Sequence, residues 1–322
     1  MIKGHEINSF KILKVLCFLA IASSPLYSHY VSPSDFYISK THKIKVYENF
    51  PINQLNTDIE RVVIVVHGIA RNADEYFDFA RTAAQIENVE GKTLILAPHF
   101  KTESDPLEPD ELFWNNSWKF GDLSAFETVS SYEVLDQIVE KIWLEGHFPS
   151  LRKISFIGHS AGGQTIARYA AGSPIIDRYP LNISYIVSNP SSYLYFRPER
   201  FDQIKGFAVP NFDCAEYDSY PYGTGQPNSY MGKVSSQELQ LRFNHRDVTL
   251  LLGEEDKLSD YLDTSCEANL QGKTRIERGQ IYHRFIKTFY PESHLKLKTV
   301  PKVGHSGKDM IQSKAARELL FH

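Results

Sequence analysis

The chain has 322 residues, 42% of them apolar and 23% charged, which is the balance of an ordinary soluble globular protein. Its net charge is only −4 and no basic block stands out, which argues against a nucleic-acid or polybasic membrane footprint. The length suits one large α/β domain.

The first stretch reads as a leader. Lys3, Lys11 and Lys14 precede an apolar run from Val15 to Ala22, and Ala20-Ile21-Ala22 offers a small-x-small cleavage site. The run is too short for a permanent bilayer anchor, and no other stretch is apolar enough to be one. Residues 1–22 are therefore expected to be a signal peptide, with a buried N-terminal helix as the alternative, and 23–322 one domain, secreted or periplasmic. Cys17 falls in the leader, so Cys214 and Cys266 remain as an even pair in an oxidising compartment. They are expected to form one disulfide, with two unrelated buried thiols as the alternative. No further Cys or His stands at metal-ligand spacing, and no metal or organic cofactor is implied.

After the leader, residues 42–47 alternate as a partly exposed strand does. Arg61 to Val66 is a continuous β-branched run, as in a parallel strand covered on both faces. It ends in His67-Gly68. Asn72 and Glu75 resemble a capping box for a helix through Glu87, and Thr93 to Pro98 is the next buried strand. Ser130 with Glu133 caps a helix whose apolar stripe is Val134, Leu135, Ile138, Val139 and Ile142. A strand over residues 154–157 and a helix over 164–170 flank a serine between glycines. Further strands fit 183–187, 248–252 and 295–300, and helices fit 278–289 and 308–320. Strands alternating with helices mean βαβ units and a mostly parallel, doubly wound sheet. Residues 191–246 break this rhythm and carry ten aromatics between Tyr193 and Tyr230. So aromatic a segment argues against disorder, and an inserted cap over the sheet's C-terminal edge is expected.

The serine is the most informative residue. Gly158-His159-Ser160-Ala161-Gly162 lies between the strand and the helix, the context that makes G-x-S-x-G a nucleophile elbow. The turn lifts the hydroxyl above the sheet, and a helix N-terminus points at the place where an oxyanion would form. A serine hydroxyl needs a base, and the base needs an acid to fix its tautomer. In such sheets these groups gather at the strands' C-terminal ends. Asp256 follows the strand at 248–252 after Gly253, and His305 follows the last strand after Gly304. Glu254, Glu255, Asp260 and Asp263 stand near the same strand end and remain alternative acids. His283 and His294 lie on the wrong side of the last strand. The oxyanion hole would use the N–H groups of Ala161 and Ile69. His67 is expected to shape that loop, with a catalytic role as the alternative.

His67-Gly68, Gly158 to Gly163, Asp256 and Gly304-His305 together resemble the α/β-hydrolase superfamily over essentially everything after the leader. A finer resemblance, to secreted and poorly characterised serine hydrolases, rests on Gly158 to Gln164 with Arg168-Tyr169-Ala170. It also rests on Asp263 to Ala268 with Gln271-Gly272. Ile69-Ala70 stand where many lipases and esterases carry glycines, so bulky tertiary-alcohol esters are not expected substrates. The resemblance implies an α/β-hydrolase fold and a secreted serine hydrolase acting on a small-molecule ester of modest size. A peptidase, amidase or acyltransferase with the same triad, or a catalytically inactive binding module, remains open. The aromatics at 191–230, with Trp114 and Trp118, either build an apolar wall over Ser160 or simply pack an irregular segment, and the two readings stand level.

Overall fold

Six parallel strands, most of them β-branched and aliphatic runs, make up the greater part of one eight-stranded sheet in the computed structural model. It describes Met1 and residues 32–322 apart from 127, 181 and 212, with the backbone alone of 176 and 177. The expected leader, beyond Met1, lies outside these residues. In chain order the elements are β1 (Ser34–Tyr37), β2 (Lys43–Glu48), β3 (Arg61–Val66), α1 (Ala73–Ile86) and β4 (Thr93–Pro98). There follow α2 (Ser131–Leu144), β5 (Lys153–His159), α3 (Ala161–Gly172), α4 (Ile175–Arg178) and β6 (Ile183–Ser188). The chain continues through β7 (Arg200–Asp202), β8 (Gly206–Ala208), α5 (Ser236–His245), β9 (Asp247–Gly253) and α6 (Cys266–Asn269). It ends with α7 (Arg275–Phe289), β10 (Lys296–Val300), α8 (Gly307–Gln312) and α9 (Lys314–Phe321).

The sheet order is β1-β2-β4-β3-β5-β6-β9-β10. Neighbours from β4 to β10 run parallel, while β1–β2 and β2–β4 are antiparallel. Every residue of β4 and β6 is buried, and so is all of β3 after Arg61, which is why these strands show no apolar–polar alternation. Alternate side chains nevertheless go to opposite faces. Val62, Ile64 and Val66 join the core with α2, α3, α5 and α7, whereas Val63 and Val65 join the core with α1, α8 and α9. The chain goes from β3 outward to β4 and then returns to β5 on the other side of β3. That reversal leaves a crevice beyond the C-terminal ends of β3 and β5, where open α/β sheets bind ligands. This is the α/β-hydrolase fold.

Several local expectations need correction. Asn72 does not cap α1, because its amide donates to Glu75 Oε2 (2.6 Å) rather than accepting from the helix. Ser130 and Glu133 do form a capping box at α2. The single helix expected over 308–320 is two, since Ser313 is extended and its hydroxyl accepts from the Ala316 N–H, starting α9 afresh. Residues 191–246 contain the β7–β8 hairpin and α5. Their aromatics are mostly core: Tyr193 stacks on Tyr282 (centroids 4.5 Å apart) and Tyr195 packs on Phe285 (4.6 Å). The Tyr230 hydroxyl donates to the buried Asp136 (2.7 Å). Phe212 lies outside the described residues. A disulfide joins Cys214 to Cys266, 52 residues apart, and ties this segment to α6. Among the described residues no helix is long and apolar enough to cross a membrane.

Candidate active site

Ser160 stands between β5 and α3 with φ 58° and ψ −117°, a backbone conformation that L side chains seldom adopt. What holds it there is close packing of backbone on backbone. A Cβ on Gly158 would run into the carbonyl of Gly162, and one on Gly162 into the carbonyls of Val66 and His67. Two further bonds lock the turn: the Ser160 N–H donates to the Ser188 carbonyl (3.0 Å), and the Gln164 N–H to the Ser160 carbonyl (3.0 Å).

Two loops converge on its hydroxyl. Beyond β9, the Asp256 N–H returns to the Gly253 carbonyl (3.2 Å), turning the Asp256 side chain inward until it is wholly buried. Glu254, Glu255 and Asp260 point to solvent, and Asp263 lies on the cleft instead. Burial thus separates Asp256 from the other four acids. Beyond β10, His305 Nδ1 lies 2.7 Å from Asp256 Oδ2, and its Nε2 lies 3.0 Å from Ser160 Oγ. With Nδ1–H donating to the carboxylate, Nε2 is free to accept the serine proton. Asn189 clamps both loops, donating to the Gly304 carbonyl (3.3 Å) and accepting from the Gly253 N–H (2.8 Å). His294 lies at the opposite end of β10, its Nδ1 on the His245 carbonyl (3.0 Å), and His283 is on α7.

The Ala161 N–H opens α3, and the Ile69 N–H lies in a turn closed by the Arg71 N–H on the Gly68 carbonyl (3.1 Å). Neither N–H donates to a protein acceptor among the described residues. Arg71 holds the turn from below, donating to the Ile69 carbonyl (2.9 Å) and to Asp105 (2.6 Å). His67 is buried beneath it, donating through Nδ1 to the Gly68 carbonyl (2.8 Å) and accepting the Phe100 N–H at Nε2 (3.0 Å). Burial, helped by the neighbouring His99, pushes its pKa down to about 3, so it is neutral and shapes the turn.

Three residues with no signal in the sequence support the relay. Arg275 at the start of α7 is fully buried and donates to Asp256 Oδ1 (3.4 Å), Ser191 Oγ (3.3 Å) and the Leu258 carbonyl (3.2 Å). His159 packs on His305 with ring centroids 4.5 Å apart, and its Nδ1 pairs with the Tyr76 hydroxyl (3.0 Å). Burial first, then the nearby His305 and Arg275, keep His159 neutral.

Trp114 and Trp118 must be corrected. Both are fully buried: Trp118 packs on His67 (4.7 Å between centroids) and stacks on Phe100 (5.5 Å), while Trp114 meets Phe100 edge-on (5.5 Å). Indoles of this size lose too much apolar contact in water to remain at the cleft when a core position is open to them. They pack behind His67 and so behind the turn at Gly68–Arg71. The cleft beside Ser160, about 420 Å³, is lined instead by Lys119, Phe120, Gln164, Tyr222 and Asp263, among others. Tyr222 alone of the described aromatics at 191–230 reaches it. A second hollow, about 550 Å³, opens on the other side of Ser160 toward His305, Tyr76 and Asn116. Tyr261, 82% exposed, borders both. Among the described residues, the potential metal ligands Cys214, Cys266 and Glu267 lie together, but the two sulfurs are joined to each other.

The chain matches no protein-family model and no curated protein sequence. Its fold does match solved structures. Poly(aspartic acid) hydrolase-1 from Sphingomonas sp. KT-1 superimposes with a TM-score of 0.66 at 20% identity, over 90% of this chain and 98% of that one. LpqC, a poly(3-hydroxybutyrate) depolymerase from Bordetella parapertussis, gives 0.64 at 23% identity, over 87% and 84%. These likenesses place the chain in the α/β-hydrolase fold class.

Proposed function

We propose that this protein is a serine hydrolase that cleaves a carboxylic ester of modest size through an acyl-enzyme. The observation that carries the reading is the continuous relay Asp256–His305–Ser160, at 2.7 and 3.0 Å, beside two unpaired N–H groups. Ser160 Oγ attacks the ester carbonyl while its proton passes to His305 Nε2, and Asp256 stabilises the imidazolium. The carbonyl oxygen, now an anion, is met by the N–H groups of Ala161 and Ile69. Collapse expels the alkoxide, which takes the proton from His305 and leaves as the alcohol. Water then attacks the acyl-enzyme, gives its proton to His305, and the acid departs as Ser160 regains its hydrogen. The structural neighbours described above are named as a poly(aspartic acid) hydrolase and a poly(3-hydroxybutyrate) depolymerase, in keeping with hydrolysis. The Cys214–Cys266 bond favours an oxidising compartment, and we propose a secreted or periplasmic location with residues 1–22 as the leader.

A fluorophosphonate probe followed by peptide mapping tests the reading. The label is expected on Ser160 alone and is expected to disappear in His305→Ala. Labelling at another serine, or none on the folded protein, would overturn the assignment.

A further inference from the structure

The leaving alcohol must collect its proton from His305, so it occupies the hollow that His305 lines, and the acyl group extends the other way, into the cleft of Lys119. That cleft is not an apolar wall built from the aromatics. Lys119 sits between two anchored neighbours, Trp118 in the core and Phe120 beneath its ammonium (5.0 Å to the ring centroid). Its carbonyl is held by the Tyr132 hydroxyl (3.0 Å) and Thr165 (3.4 Å), so its position is fixed by packing. The ammonium makes no ion pair and no hydrogen bond among the described residues. Asp263 shares the cleft but is already engaged, accepting from the Tyr222 hydroxyl (2.7 Å) and the Ser265 N–H (3.1 Å). Arg168 lies under the same Phe120 ring (5.0 Å), wholly buried, and among the described residues its guanidinium donates only to neutral oxygens of Gln164, Ser192 and Pro221. A buried cation without a carboxylate projects its field into the nearest cavity. One cation, Lys119, therefore lines the cleft, with the buried Arg168 behind the shared Phe120 ring adding positive potential, while Asp263 in the same cleft is oriented by the Tyr222 hydroxyl and the Ser265 N–H.

We infer that the acyl part of the substrate carries an anionic group, a carboxylate or its like, which pairs with Lys119. The inference rests on the hydrolase reading and gives it a substrate class, the half-ester of a dicarboxylic acid or a carboxylate-bearing oligomer. Lys119 determines specificity in this scheme and takes no part in bond making.

The test compares the monomethyl esters of succinate, glutarate and adipate with the matching dimethyl esters, read as the ratio of the two kcat/KM values. The wild-type ratio for the best-fitting length is expected to exceed one and to fall about tenfold in Lys119→Met, further in Lys119→Glu, and little in Lys119→Arg. Added salt should lower the wild-type ratio as well. An unchanged ratio in Lys119→Met overturns the inference. Calorimetric binding of monomethyl glutarate to Ser160→Ala, with and without Lys119→Met, needs no turnover. Binding that depends on Lys119 without turnover of any ester leaves the anion site standing and sinks the hydrolase reading. Turnover indifferent to Lys119 does the reverse, and absence of both removes both.

Discussion

The turn that carries Ser160 and the cleft that faces it differ in how their residues are drawn from the chain. Gly158 to Gly162 are contiguous, and both glycines are constrained by backbone within van der Waals reach: Gly162 by Val66 and His67, Gly158 by Gly162. The cleft takes Lys119, Gln164, Tyr222 and Asp263 from separate elements, and no local rule demands any of them. In the proposed reading, chemistry depends on a few fixed atoms, whereas substrate choice depends on which loops happen to meet.

The sharpest way to break the comparison is at the turn. Ser160→Ala should cost at least about a thousandfold in kcat while leaving the melting temperature close to wild type. Adding His305→Ala should cost little more, because the relay works as a unit. Losses that multiply in the double variant would show that the two residues act separately.

Next in size is the disulfide, whose loop encloses both Tyr222 on the cleft and Asp256 on the relay. Replacing both cysteines by serine should lower stability by about 4 kcal/mol through the freed unfolded chain, measured by denaturant unfolding. Two titratable thiols in the native protein would mean that the bond is not made.

His67 tests the support beneath the Gly68–Arg71 turn by pH. Folding holds it neutral, with its pKa near 3 against 6.5 when free. The unfolded chain therefore takes up a proton between those values that the folded one refuses. Its contribution to stability is intact above about pH 6.5 and is lost as the pH falls toward 3, by about 1.4 kcal/mol per pH unit. His67→Gln should shallow the slope of unfolding free energy against pH by one proton in that window. An unaltered slope would put the proton uptake elsewhere.

The smallest effect separates core from wall. Trp118→Phe should lower stability by about 1–3 kcal/mol yet leave the ratio of kcat/KM on p-nitrophenyl acetate and hexanoate unchanged. Tyr222→Ala should shift that ratio. A Trp118 variant with altered chain-length preference would return the indole to the cleft.

Sequence alone sufficed for the elements whose signals are local. The β-branched run of β3, the Ser130–Glu133 box and the glycine-flanked Ser160 each record a constraint met within a few residues. The expected positions of Ser160, Asp256 and His305 follow from the same logic, since each stands just past a strand end and parallel strands gather their C-terminal ends on one edge. What needed the tertiary structure was contact between distant segments. Four other acids stood near Asp256 in the chain, and only burial against Arg275 and His305 sets it apart. The indoles of Trp114 and Trp118 looked like a wall because aromatic composition says nothing of direction, and the core behind His67 took them. Lys119 has no local signal in the sequence; Trp118 and Phe120, folded to either side, place its ammonium on the cleft that Asp263 shares. Local sequence specifies backbone conformation because its causes are steric and near. Which side chain faces which cavity is decided by the packing competition of the whole chain.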